Sequence, residues 1–278
     1  MYRASIAHKI LLSTVLYVTA CTSVWAVDTI HDRIEKLSSH TQLLLPKTGN
    51  KHPLAVLLPG CLSWHPHHDK WRNELLEQGF AVLHIDSFSA RGYQERGVLE
   101  SQVCTGRRIR GDERAGDLMA TLSSVWDRPD IHPDRTILMG WSHGGWTAMD
   151  FMIFAETDSL PPNLSELPVL DVENFRAAFL FYPYCGFGSK TGAEGFPATA
   201  KTLIFHGTAD IITNPTQCRS RAETLALGGA DIEFISLRGA RHWFDNHDEP
   251  LTFDSQTTSR VRGVIYDVLQ EMGLVSGG

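Results

Sequence analysis

Short apolar runs, rich in β-branched and aromatic residues, alternate along the chain with stretches whose apolar positions recur every three or four residues. Residues 54–58 are apolar without a break and end at Pro59-Gly60, the pattern of a central strand buried on both faces. Residues 80–85, 136–139, 177–182, 202–205 and 232–237 are the further strand candidates. Residues 41–45 read as a short first strand or hairpin arm, with 34–37 as its candidate partner. In 113–126, Leu118, Met119, Leu122, Val125 and Trp126 share one helical face behind Asp112 as N-cap. Asn214-Pro215 is an N-cap followed by proline at the first helical position, and Gly228 ends that helix. Val261, Val264, Ile265, Val268, Leu269 and Met272 form a last apolar stripe, which Gly273 stops. Segment 158–175 is Pro-rich and polar and reads as a surface excursion, and 185–199 is short and Gly-rich. Neither is long enough for a separate cap domain. Strands alternating with helices predict an α/β fold: a doubly wound, mainly parallel sheet.

Composition narrows this to one globular domain, since the 278 residues are 42% hydrophobic and 21% charged. The net charge of −7, with no Lys/Arg run longer than Arg107-Arg108, argues against nucleic acid as a partner. The first 26 residues differ from the rest. Arg3 and Lys9 precede an apolar run over 10–20, and Val24-Trp25-Ala26 offers small residues for cleavage, so 1–26 reads as a secretory signal and 27–278 as the domain. Val18-Thr19-Ala20-Cys21 offers a competing site at which the cysteine would be lipidated, and only then is a membrane a partner. The protein is expected outside the cytoplasm, periplasmic or secreted.

Gly140-Trp141-Ser142-His143-Gly144 is a G-x-S-x-G motif between a strand and a helix. That turn must hold a strained serine at the tip of the sheet, so its neighbours must be minimal, and the helix start beneath it favours negative charge. The chain order nucleophile, acid, base is then a second test. Asp210 follows the strand at 202–205, and His242 follows the strand at 232–237. Both are therefore expected on loops at the same sheet edge as Ser142, where ligands bind in open α/β sheets. His143, His206 and His247 are rival bases, and Asp231 and Asp245 rival acids. The backbone N–H groups of His143 and Cys61 are the candidate oxyanion donors.

These residues resemble the α/β-hydrolase superfamily and, within it, the dienelactone hydrolase family. The resemblance spans about 51–272. It rests on Leu58-Pro59-Gly60-Cys61, Asp86-Ser87-Phe88-Ser89-Ala90-Arg91-Gly92, the elbow Gly140 to Gly145, Phe181-Tyr182-Pro183 and Gly239-Ala240-Arg241-His242-Trp243-Phe244. It implies a doubly wound sheet of eight strands or slightly fewer and hydrolysis of small esters or lactones with no cofactor. The namesake enzymes use a cysteine nucleophile and a glutamate after the strand equivalent to 54–58. Here Ser142 is the nucleophile, and Gly60-Cys61-Leu62 has no glutamate. Arg91 matches one of the family's substrate-carboxylate arginines, but Asn246 stands four after His242. The resemblance therefore implies a serine esterase rather than an enzyme of dienelactone.

Arg91, Trp64 and Trp243 are the candidate substrate-binding residues, the tryptophans because they flank the catalytic loops. Three histidines in Trp64-His65-Pro66-His67-His68-Asp69 suggest metal ligands, but a proline-kinked loop can also hold them for polar reasons and no second ligand group at fixed spacing accompanies them, so no metal is assigned. Cys61, Cys104, Cys185 and Cys218 form no CxxC pair. If strands 177–182 and 202–205 are neighbours, Cys185 and Cys218 emerge together at the sheet edge and can bridge, which leaves Cys61 and Cys104 as the second pair. Two other functions compete with a small-molecule esterase. A serine peptidase of the prolyl-oligopeptidase kind shares the triad order but has a propeller domain that nothing here resembles. A non-catalytic envelope binding protein would not need a complete triad.

Overall fold

The structure, a computed structural model, describes residues 27–190, 196 and 199–275. The expected signal segment, with Cys21, lies outside the described residues.

Among the described residues, seven strands form one sheet in the order β1-β3-β2-β4-β5-β6-β7. They are β1 (Thr41–Leu44), β2 (His52–Leu58), β3 (Ala81–Ile85), β4 (Ile131–Trp141), β5 (Phe175–Phe181), β6 (Lys201–Gly207) and β7 (Ile232–Leu237). Only β1 runs antiparallel, against β3. Alternate residues of each central strand enter opposite cores. Val56, Leu138, Leu180 and Ile204 join one core, whereas Leu57, Met139, Phe181 and Phe205 join the other. Helices α1 (Ile30–Ser38), α4 (Gly111–Trp126), α5 (His143–Glu156) and α6 (Pro215–Leu227) cover the first face. Helices α2 (Pro66–Glu77) and α7 (Ser255–Glu271) cover the second. A single helical turn, α3 (Arg96–Val98), runs into a π-helical turn at Leu99–Val103. This is the doubly wound, mainly parallel sheet that the alternation predicts.

The register sets the site's position. Leu58 pairs with Gly140, Trp141 with Phe181, Phe181 with Phe205 and Gly207 with Leu237. Strands β2, β4, β5, β6 and β7 therefore end at one level, and their outgoing loops share one edge.

Three expectations are corrected. Segment 34–37 lies within α1 and pairs with no strand, because Thr29 and Asp32 form a capping box that starts a helix. The proline of 65–69 opens α2 rather than kinking a loop, since the first helical position needs no N–H. Helix α4 starts at Gly111 with Arg110 at the cap, while Asp112 sits in the first turn and accepts from the Glu113 N–H at 2.9 Å. The 158–175 excursion is tied down: Leu164 is buried, and Asn163 O accepts from Arg33 at 2.8 Å.

Candidate active site

Ser142 stands between β4 and α5 with φ 51° and ψ −111°, a left-handed conformation that costs a non-glycine residue energy. The turn closes because its flanks have no side chains. A Cβ on Gly140 would lie 2.7 Å from Gly144 O, and one on Gly144 would lie 1.8 Å from Leu58 O. The Ser142 N–H donates to Phe181 O at 2.9 Å, anchoring the turn to the neighbouring strand end.

His242 and Asp210 meet from the loops after β7 and β6. The His242 Nδ1–H donates to Asp210 Oδ2 at 2.7 Å, so in the neutral ring Nε2 is the nitrogen that can take a proton. Asp210 Oδ1 accepts from the N–H groups of Ile212 at 2.8 Å and Thr213 at 3.0 Å, and the Thr213 hydroxyl donates to Oδ2 at 2.9 Å. Burial works to raise the Asp210 carboxyl, but the His242 hydrogen bond and charge and the two N–H donors outweigh it and hold it below its ordinary value. Thr213 is the orienting residue that sequence reasoning missed. It is the third residue after Asp210, a spacing at which an Asx-type turn closes.

The rival groups have other partners. His206 is fully buried, 3.9 Å from Asp210 and outside the cavity lining. His247 pairs with Asp248. Asp231 faces Lys201. Asp245 is a buried acceptor for Trp141 Nε1 at 2.8 Å, Tyr182 Oη at 2.7 Å and Trp71 Nε1 at 3.4 Å. It joins the residue before Ser142 to Tyr182, whose ring packs 4.4 Å from that of His242.

Arg114 was also missed, although it falls on the apolar stripe of α4 with Leu118. It is 1% exposed, and its Nη1 donates to Pro59 O at 3.2 Å and to His143 Nδ1 at 3.1 Å. Arginine has no acceptor, so Nδ1 of His143 accepts and Nε2 carries the hydrogen that reaches Ile109 O at 3.2 Å. Burial, with the guanidinium alongside, pushes His143 down to about 3, so this ring is neutral. As the first residue of α5, His143 has a backbone N–H with no partner within the helix.

Ser142, His143, Cys61 and His242 line one cavity of about 770 Å³, within the size range of small-molecule sites. Trp243 lines it too. The other two candidate substrate-binding residues do not. The Arg91 guanidinium is held by Asp117 at 2.8 and 2.9 Å and by Ser87 O, and Trp64 donates to Asp69 and packs on His84. His65, His67 and His68 line the cavity, and burial lowers the pKa of all three. Among the described residues, no group of three His, Cys, Asp or Glu side chains is set to hold a metal ion. Disulfides join Cys61 to Cys104 and Cys185 to Cys218, the pairing that strand adjacency predicts.

Fold and site together define a hydrolase of the α/β type. Residues 66–253 match the prolyl oligopeptidase family, and the chain belongs to it. Solved structures share its fold. A dienelactone hydrolase from Klebsiella pneumoniae aligns with a TM-score of 0.64 at 15% identity, covering 83% of this chain and 92% of that one. Thermogutta terrifontis esterase 2 with propionate bound gives 0.62 at 18%, covering 86% and 91%. A dienelactone hydrolase-like promiscuous phosphotriesterase from metagenomic libraries gives 0.59 at 14%, covering 85% and 92%. The Thermogutta enzyme is also seen phosphonylated by cyclosarin. No curated protein matches the sequence.

Proposed function

We propose that the protein is a serine-dependent hydrolase of small carboxylic esters or lactones, exported from the cytoplasm, that works through an acyl-enzyme and needs no cofactor. The observation that carries this reading is the His242–Asp210 pair at 2.7 Å, with His242 on the wall of the cavity that the strained Ser142 also lines. Ser142 Oγ attacks the acyl carbon while His242 Nε2 takes its proton. The carbonyl electron pair moves onto oxygen, which the N–H groups of His143 and Cys61 receive. Collapse of that intermediate breaks the bond to the alcohol, which leaves with the proton from His242. Water then attacks the acyl-serine by the same route and releases the acid. Asp210 fixes the imidazole tautomer and stabilises its cation throughout.

Family membership favours a second reading, a peptidase acting on short peptides. A fluorophosphonate probe followed by assay of p-nitrophenyl esters and of aminoacyl p-nitroanilides tests both. Expected are labelling that Ser142→Ala abolishes and turnover of the esters alone. Labelling at another residue, or none, overturns the serine mechanism, and preferential anilide cleavage overturns the ester reading.

A further inference from the structure

Large apolar side chains exposed one at a time are ordinary on a protein surface. Here several converge on one opening. Phe187, Ile212 and Leu251 are 98, 68 and 84% exposed, yet all three line the cavity that holds Ser142. Each comes from a different loop: Phe187 follows β5, Ile212 follows β6 and Leu251 follows β7. Ile211, next to Ile212, is 93% exposed. Inside this rim the wall continues through Trp146, Tyr184 and Trp243. Apolar side chains thus stand both inside the cavity and at its exposed rim, with Glu100, Arg110 and Glu249 as charged neighbours in the same lining.

Two of the three loops that carry the rim are tied to the fold. Phe187 is two residues from Cys185, whose disulfide holds its loop to α6. Ile212 donates its N–H to Asp210 Oδ1 at 2.8 Å, so its position is set by the same carboxylate that orients His242. An apolar ring held in register with the reacting groups suits a substrate longer than the cavity is deep, because its outer atoms still leave water on binding.

Resting on the ester reading above, we propose that the substrates are esters with a medium-length apolar chain, which lies along the aromatic wall and emerges over Phe187, Ile212 and Leu251. Short-chain esters fill only the inner part of the cavity and gain nothing from the rim. Each methylene covered there should raise kcat/KM by up to about fourfold, the value of full burial.

The test compares kcat/KM for p-nitrophenyl acetate, butyrate and octanoate, and for octyl and ethyl acetate, with wild-type protein and with the triple variant Phe187→Ser, Ile212→Ser, Leu251→Ser. Wild type is expected to favour the octyl chain in at least one series. The triple variant should lower that long-to-short ratio tenfold or more. Val169→Ser with Leu227→Ser, exposed apolar residues outside the cavity lining, should leave the ratio as in wild type. Ser142-dependent turnover in which short chains win in both series would overturn this inference and leave the ester reading standing. A triple variant with an unchanged ratio would overturn it equally. Fluorophosphonate labelling without hydrolysis of any ester would overturn the ester reading, and this inference with it.

Discussion

Arg114 and His143 are 3.1 Å apart, with the buried guanidinium donating to the imidazole and, through the same nitrogen, to Pro59 O. One cation therefore braces both backbone segments assigned to the oxyanion. Methionine at position 114 would fill similar volume without the charge, and would leave Pro59 O and His143 Nδ1 without this donor. Arg114→Met is expected to lower kcat by about tenfold with KM little changed, since misplaced donors weaken transition-state binding first. Melting temperature and steady-state kinetics on one ester check this, and normal kcat would refute it.

The two buried carboxylates near His242 should differ sharply. Asp210→Asn presents the wrong imidazole tautomer and should cost about 10⁴ in kcat. Asp245→Asn should stay within about tenfold, because the asparagine oxygen still accepts from Trp141 while its amide donates to the Tyr182 oxygen. Asp245→Leu would instead strand three buried donors and lower stability by about 3 kcal/mol or more. Comparing kcat for the two asparagine variants, and urea midpoints for the leucine, decides the assignment.

Gly144→Ala should prevent accumulation of folded protein or cost more than about 3 kcal/mol. The added carbon would sit 1.8 Å from the Leu58 carbonyl, a backbone atom that cannot move aside. Soluble yield and thermal melts measure the effect, and a stable, active alanine variant would contradict the geometry of the turn.

Stability should fall in mild acid. Burial pushes His84 down to about 4 and, helped by Arg114, His143 down to about 3, from an ordinary 6.5. Between pH 6.5 and about 4 the unfolded chain binds protons at these positions that the folded chain refuses. Two such groups give a slope of up to about 2.7 kcal/mol per pH unit, with stability decreasing as pH falls. The lowered Asp210 adds to the same trend below the usual carboxylate range. Urea titrations at pH 7, 6 and 5 should show it, and His143→Gln should reduce the slope.

Peptide mapping without reduction should recover Cys61 with Cys104 and Cys185 with Cys218. For the 33-residue separation of the second pair, chain entropy predicts that Cys185→Ser with Cys218→Ser costs about 4 kcal/mol. Finding both residues alkylated in protein isolated without reductant would end this expectation.

Much of this was legible in the sequence, for local reasons. The run at 54–58, the elbow glycines and the strand ends before Asp210 and His242 are short-range patterns with strict steric meaning. Cys185 and Cys218 were paired from strand adjacency alone. What failed depends on tertiary direction. Arg91 follows a strand as an anion-binding arginine should, but its side chain turns back to Asp117, and Trp64 turns to His84. The strand expected at 34–37 was a misjudged period, since Ile30, Ile34 and Leu37 also fit a helical face behind Thr29. Arg114 stayed hidden because a cation on a helix ordinarily faces solvent.

Both disulfides lie beyond the ends of the strands: Cys61 and Cys185 in loops, Cys104 after a helical turn, Cys218 in α6. The sheet is held by burial and main-chain pairing, which are indifferent to electron donors, whereas the working edge is tied by bonds that a reductant cuts. Wear on the enzyme should therefore follow the chemistry of its surroundings more closely than their warmth. Thiol-rich medium would loosen that edge and, by the second bridge alone, take about 4 kcal/mol from the margin that keeps the sheet folded, and re-oxidation would restore both.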